Sequence, residues 1–427
     1  MQPSKITILG DFFDCQIYRG RLYLWTLSGD IYTYDWNGII DSLETDPIDK
    51  IPLTFCFKDG RYLYKSSLIE LFKDSEFRDL LKKKFQRIQS RKYILRINEL
   101  NKFLIGKQQT PTGIIPIDSE IYNNYLYFIT ENGLFKSSAH RINEKYPISS
   151  RPKKIWDCRL LSIKANKYPQ IALSGGSEGL FELNLSNSIS HKMKSVEEKL
   201  PIFQISKLHS SFANYSYLSI YNTSLANESF MALFNWKTYK GKTSHKNKYE
   251  REYDSIYSEK DIFCNNNSKE KNISWGVEDK IYLIRNNNFD IIHFNNYPQK
   301  DKGENYFTRL KTYTFNPFKG NVIGGTTTYF GNIIECENAL IVIQSDNDSF
   351  TIEEPITRWR VYPRSKNYEN HLHVILDDRI EIYSFCHDYF INQNEKEIGI
   401  QFSNDNYMTS STYSGAYPFT FRQLIRV

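Results

Sequence analysis

The feature that most constrains this chain is an internal repeat. Asp14–Gly29 and Asp118–Gly133 match position by position at a constant offset of 104 residues. Seven positions are identical: Asp14/Asp118, Ile17/Ile121, Tyr18/Tyr122, Leu22/Leu126, Tyr23/Tyr127, Thr26/Thr130 and Gly29/Gly133. Each copy reads as a strand, a tight turn, a second strand, then a glycine-containing turn into a third, which is the hairpin chemistry of one propeller blade. The offset then corresponds to two blades of roughly 50 residues each.

The glycine turn recurs at Ser28–Tyr32, Asn132–Phe135 and Glu178–Leu183, and without its glycine at Asp377–Tyr383. Weaker copies lie at Asp59–Tyr64, Tyr217–Tyr221, Lys280–Ile284 and Ala339–Ile343, giving about seven units within a range of six to eight. Tyr (31) and Phe (28) are abundant while Met is only 4, and aromatic side chains suit a pleated, half-buried surface. Both chain ends read as strands, Lys5–Leu9 and Phe419–Phe421, so one blade is expected to pair them and close a ring. The expected fold class is all-β, a single closed β-propeller over residues 1–427. The segment Leu173–Leu183 resembles the second-to-third-strand hairpin of a WD40-like propeller. That resemblance implies a platform for protein interactions and supplies no catalytic residues.

Two segments depart from the repeat. Over 67–89, Leu68, Leu71, Phe72, Phe77, Leu80, Leu81, Phe85 and Ile88 fall at helical spacing, and Ser67 with Glu70 forms a capping box. This predicts a helical insertion, either lying on a blade edge or docking a partner through the stripe that begins with Leu68, Leu71 and Phe72. From 237 to 272 the sequence turns polar and basic through Lys237, Lys240, Lys242, Lys246, Lys248 and Arg251, and a long mobile loop is expected. Tyr239, Tyr249 and Tyr253 interleave with those cations, the pattern of a single-stranded nucleic-acid site or of a merely soluble insert. In an extended Arg358–Tyr362, both Arg358 and Arg360 share one face with Tyr362, to bind an acidic partner or to pair with neighbouring carboxylates.

Motifs that invite chemistry are incomplete. His371 and His373 share a strand face and could hold a metal, yet no third ligand lies nearby in sequence. Asp346–Ser349 begins like a calcium loop but lacks its glycine and distal glutamate, and reads as a hairpin turn. Gly324–Thr328 and Ser174–Ser177 lack the lysine of a phosphate-binding loop and read as turns. The six tryptophans fit inter-blade packing. Six cysteines are far apart with no Cys-x-x-Cys pair, so no zinc or redox site is expected and the thiols read as reduced. The net charge of +6 is too small for a global nucleic-acid-binding field. Neither a signal-peptide core nor a membrane-spanning run is present, so a cytoplasmic protein is expected. The leading expectation is a scaffold or sensor subunit that binds a protein partner, with no cofactor and no enzymatic activity. A nucleic-acid-associated component using the basic loop is one alternative. An enzyme with a site assembled across blades in the channel is the other.

Overall fold

The tight turn of the repeat sets the blade geometry. Arg19–Gly20 and Asn123–Asn124 each take two successive positive φ values (49° and 73°, 48° and 65°), the type I′ conformation whose twist matches its flanking strands. Phe12–Tyr18 therefore folds back on Arg21–Thr26, and Asp118–Tyr122 on Tyr125–Thr130. The turn glycine has a second cause. A Cβ on Gly133 or Gly179 would overlap the carbonyl of Trp156 or Ser206, so glycine lets the fourth strand of the blade close over the turn.

The computed structural model describes residues 2–44, 46–58, 71, 74–139, 147–166, 170–185, 202–240, 247–264, 273–285, 288–314, 320–345, 348–365 and 367–385, with backbone alone at 236–240, 247–250, 300 and 345. Within them, seven antiparallel sheets follow one another along the chain, six of four strands and one enlarged to five. Their first strands are Phe12–Tyr18, Asp118–Tyr122, Ser162–Ala165, Phe212–Ser216, Ile273–Val277, Val322–Thr328 and Arg358–Val361. These strands touch those of neighbouring sheets and form the inner wall of a ring. The chain is a seven-bladed β-propeller.

The ring closes in blade 7. Ser4–Leu9 pairs antiparallel with Arg379–Ser384, in register from Ser4↔Ser384 to Leu9↔Arg379, and becomes the fourth strand of that blade. Lys5–Leu9 thus takes part in closure as expected; Phe419–Phe421 lies outside the described residues. On its other edge Ser4–Leu9 is paired in parallel by Tyr93–Arg96. That fifth strand comes from an insertion between the third strand (Asp30–Asp35) and fourth strand (Leu104–Gln109) of blade 1.

The insertion is longer than the expected 67–89. It contains helices Trp36–Leu43, Pro47–Leu53 and Ser75–Gln89 and a π-helical turn, Thr54–Lys58. The long helix is capped by Asp74, whose Oδ1 accepts from the amides of Glu76 (2.8 Å) and Phe77 (3.2 Å). Ser67 and Glu70, the expected capping box, lie outside the described residues, as does the weak copy Asp59–Tyr64. Leu81, Phe85 and Ile88 share one helix face and are buried with Ile6, Ile8, Ile380 and Ile382 of the closing strands.

Over its described part, the expected loop at 237–272 is instead a ladder followed by a short helix, Glu259–Phe263. Phe230–Lys240 and Asn247–Ser258 pair from Phe230↔Ser258 to Lys240↔Asn247 as the outer strands of blade 4. Main-chain pairing carried outward from a buried hairpin needs no apolar side chains, so polarity misled the reading. Residues 241–246 and 265–272 lie outside the described residues. Gly324–Gly325 is likewise no turn but part of the first strand of blade 6, whereas Gly175–Gly176 does turn between two strands of blade 3. A Cβ on Gly325 would sit 2.6 Å from Cζ3 of Trp275. That indole lies fully buried against blade 6 and donates Nε1–H to Thr327 Oγ1 at 2.8 Å. The glycine is there to admit the tryptophan. Gly325→Ala is therefore expected to cost about 1–3 kcal/mol by overpacking, read as a lowered urea midpoint at unchanged slope, and Trp275→Phe in the same chain should recover part of it.

Candidate functional site in the central channel

The first strands of six blades, with the segment that follows Arg358–Val361, enclose a cavity of about 1010 Å³ along the ring axis. Strand direction divides its ends. Turns between first and second strands emerge on the same face as the connections between third and fourth strands, so the insertion and Arg364 belong to one face of the ring.

Charged residues line the wall between blades 7, 1, 2 and 3. Asp14, fully buried, accepts from Arg360 through Nε (2.6 Å) and Nη2 (2.5 Å), a bidentate pair, and from Arg358 Nη1 at 3.4 Å. Arg358 also donates Nη2–H to the Ile117 carbonyl at 2.8 Å. Asp118 stands in blade 2 where Asp14 stands in blade 1; it receives Arg360 at 3.4 Å and the Ile163 amide of blade 3 at 2.9 Å. Two positions further on, Gln16 Oε1 accepts from the Ile121 amide (3.0 Å) and Glu120 Oε2 from the Ala165 amide (2.8 Å). Glu120 also takes Arg364. The repeated acidic position is thus a staple from one blade to the next. Sequence reading offered Arg358 and Arg360 either an acidic partner or neighbouring carboxylates, and the structure gives them carboxylates of this chain. It left the partner, Asp14, unassigned, although conservation of Asp14 as Asp118 within the repeat was the available signal.

Burial lowers the basicity of Arg360, but Asp14 and Asp118 more than offset this and its pKa comes out raised. For Glu120, burial pushes upward, while Arg364, Lys164 and the Ala165 amide bring its carboxyl below its ordinary value. Carboxylates from several blades therefore do converge on the channel. Asp14, Asp118 and Glu120 are each engaged by guanidinium or amide donors, an arrangement that positions charge along the wall.

Beside the channel wall, His371 and His373 lie fully buried in blade 7. His371 Nε2 is 2.7 Å from the Cys56 carbonyl, which can only accept, so Nε2 carries the proton and Nδ1 is an acceptor. That acceptor is 3.5 Å from His373 Nε2, which then donates, leaving His373 Nδ1 to receive the Tyr362 hydroxyl at 3.1 Å, with the Cys15 thiol at 3.4 Å. Tyr362 in turn accepts from the Ile17 amide at 3.1 Å. Every ring nitrogen is engaged. Among the described residues no group of three His, Cys, Asp or Glu side chains could hold a metal; the imidazole pair instead ties blade 7 to blade 1 and, through Cys56, to the insertion.

The other expected site residues are dispersed. The side chain of Arg251 is 4% exposed, is paired with Glu182 of blade 3 and lies 3.4 Å over the Phe234 ring. It is committed to the joint between blades 3 and 4, which removes it from a nucleic-acid surface. Lys237, Lys240 and Lys248 have their backbone in the blade 4 ladder, and Lys242 and Lys246 lie outside the described residues. Leu71 is exposed ahead of the long helix, while Leu68 and Phe72 lie outside the described residues.

No protein-family model matches this chain, and no curated protein matches it. Solved structures do. The AfRom2 CNH domain aligns at 10% identity and a TM-score of 0.34, covering 63% of this chain and 94% of that one. BamB from Moraxella catarrhalis aligns at 9% identity and a TM-score of 0.37, covering 89% of this chain and 82% of that one. At such values the likeness carries no functional argument, and the propeller rests on its own strand pairing.

The histidine pair generates a pH dependence. Burial lowers His371 to about 4 and His373 well below its ordinary value, the latter also opposed by His371 and Arg360. Below the unfolded value of about 6.5 the unfolded chain binds protons that the folded chain refuses, so stability falls as pH drops from about 6.5 toward 4. At pH 5 the loss from His371 alone should be about 2 kcal/mol. Urea midpoints at pH 7 and pH 5 check this: His371→Gln should flatten the slope between them, and an unchanged slope would contradict it.

Proposed function

We propose that this propeller is a non-catalytic scaffold or sensor subunit of a reducing, cytoplasmic compartment, binding a protein partner through its insertion and the ring face that carries it. The observation that carries the reading is the surface of the insertion. Ile48 and Ile51 on Pro47–Leu53, Leu71, and Leu80 on Ser75–Gln89 are large apolar side chains left exposed. Exposed apolar residues on and beside helices that pack on one another suit a protein contact.

Their scaffold is rigid. Helices Pro47–Leu53 and Ser75–Gln89 pack on one another, and the buried Asp49 between them is paired with Arg87 (3.1 Å) and Arg91 (2.6 Å). The channel arginines Arg358 and Arg360 contribute by fixing the channel wall through Asp14 and Asp118. Among the described residues the five cysteines are all free thiols, in keeping with a reducing compartment. None of the described helices is long and apolar enough to cross a membrane.

The test is an affinity capture from the native host, with and without nuclease, using the wild-type chain and a Leu71→Asp, Leu80→Asp variant. A stoichiometric protein that survives nuclease and is lost at least about tenfold with the variant supports the reading. Capture that collapses on nuclease treatment would replace it with the nucleic-acid reading.

A further inference from the structure

Lys164 lines the cavity from the first strand of blade 3, where blade 1 has Gln16 and blade 2 has Glu120 at the corresponding position. Unlike those two, its ammonium has no hydrogen bond and no ion pair among the described residues. Burial lowers its pKa; Glu120 opposes that, and Arg364 and Arg360 add to it. Glu120, the carboxylate that acts most strongly on it, is already engaged by Arg364 and by the Ala165 amide.

Arg364 has its own unfilled donor. One arm of its guanidinium holds Glu120, while Nη1 is buried without a hydrogen-bond partner. The carboxylates Asp14, Asp118 and Glu120 are all engaged by Arg358, Arg360 and Arg364, so none of the three forms an ion pair with Lys164. Glu335 and Glu369 also line the cavity, from blade 6 and from the segment after Arg364; Glu335 accepts from Trp359 Nε1 at 2.8 Å. An unpaired cation out of bulk water is costly until something of opposite charge reaches it.

We propose that the channel binds one anionic small molecule, through a carboxylate or phosphate group seated at Lys164 Nζ on the wall shared with Arg364. The cavity volume is that of a small-molecule site and leaves room for the body of the ligand beyond its charged group. Arg358 and Arg360 stay with Asp14 and Asp118 and keep the wall in place. The site is independent of the apolar surface of the insertion.

Isothermal titration of the full chain with inorganic phosphate and, separately, with glutarate, at an ionic strength matched with sodium chloride, tests this. One or both anions should bind the wild type at one per chain, and Lys164→Met should weaken that binding at least about tenfold. Lys164→Met should also melt no lower than the wild type in anion-free chloride buffer, because it removes an unpaired charge while keeping the apolar stem. Lys164→Gln serves if the methionine variant does not fold. Binding of phosphate alone assigns a phosphate ligand, and binding of glutarate alone assigns a carboxylate. Absence of heat from both, affinity unchanged by the substitution, or a lower melting point for the variants would overturn the proposal.

Discussion

Everything in this molecule depends on a six-residue strand finding a partner hundreds of residues away. A propeller whose blades lie in chain order has two open flanks until its ends are joined, and each flank exposes unpaired backbone and apolar side chains. Ser4–Leu9 joins them by pairing with Arg379–Ser384. The insertion of blade 1 then completes the seal. Tyr93–Arg96 occupies the remaining edge of the closing strand, and Phe85 and Ile88 bury its Ile6 and Ile8 from above. The closing strand is therefore hydrogen-bonded on both sides, which an ordinary outermost strand is not.

The channel side of the same seam is held by different physics. Asp14, Arg358 and Arg360 join blades 7 and 1, and Asp118 and Glu120 continue the pattern toward blade 3. Outside the ring wall, hydrophobic clusters join neighbouring blades; inside it, where the wall meets the polar cavity, charged and amide groups do so. The buried chain from Tyr362 through His373 and His371 to the Cys56 carbonyl links the two regions and reaches the insertion. This network explains why residues that resemble a metal site and a partner-binding face in sequence are structural ties at the 7–1 seam.

What was legible in the sequence was what repeats. Tight turns, turn glycines and paired strand patterns encode local geometry, and blades with the Asp14/Asp118 signature announce themselves because the same steric and hydrogen-bonding demand recurs. The true extent of the insertion was hidden because only Ser75–Gln89 is long enough to show a helical period; Trp36–Leu43 and Pro47–Leu53 are two turns each. The outer ladder of blade 4 was hidden because main-chain pairing leaves no mark on polar side chains, and Gly324–Gly325 misled because a glycine that admits Trp275 looks like one that makes a turn. In the channel, the arginines were visible but their partners were not: Arg360 and Asp14 are 346 residues apart. Lys164 carries no signal at all until the blades are superposed and it is found where Gln16 and Glu120 make their staples.

The account stands on closure, and native-state hydrogen exchange at Lys5–Leu9 tests it most directly. If the ring is sealed as described, these amides exchange only through global unfolding, with the same free energy and the same denaturant dependence as those of Leu22–Trp25 in the core of blade 1. Exchange of Lys5–Leu9 through a smaller, local opening while blade 1 stays protected would show that the strand is a loose appendage, and would contradict the account.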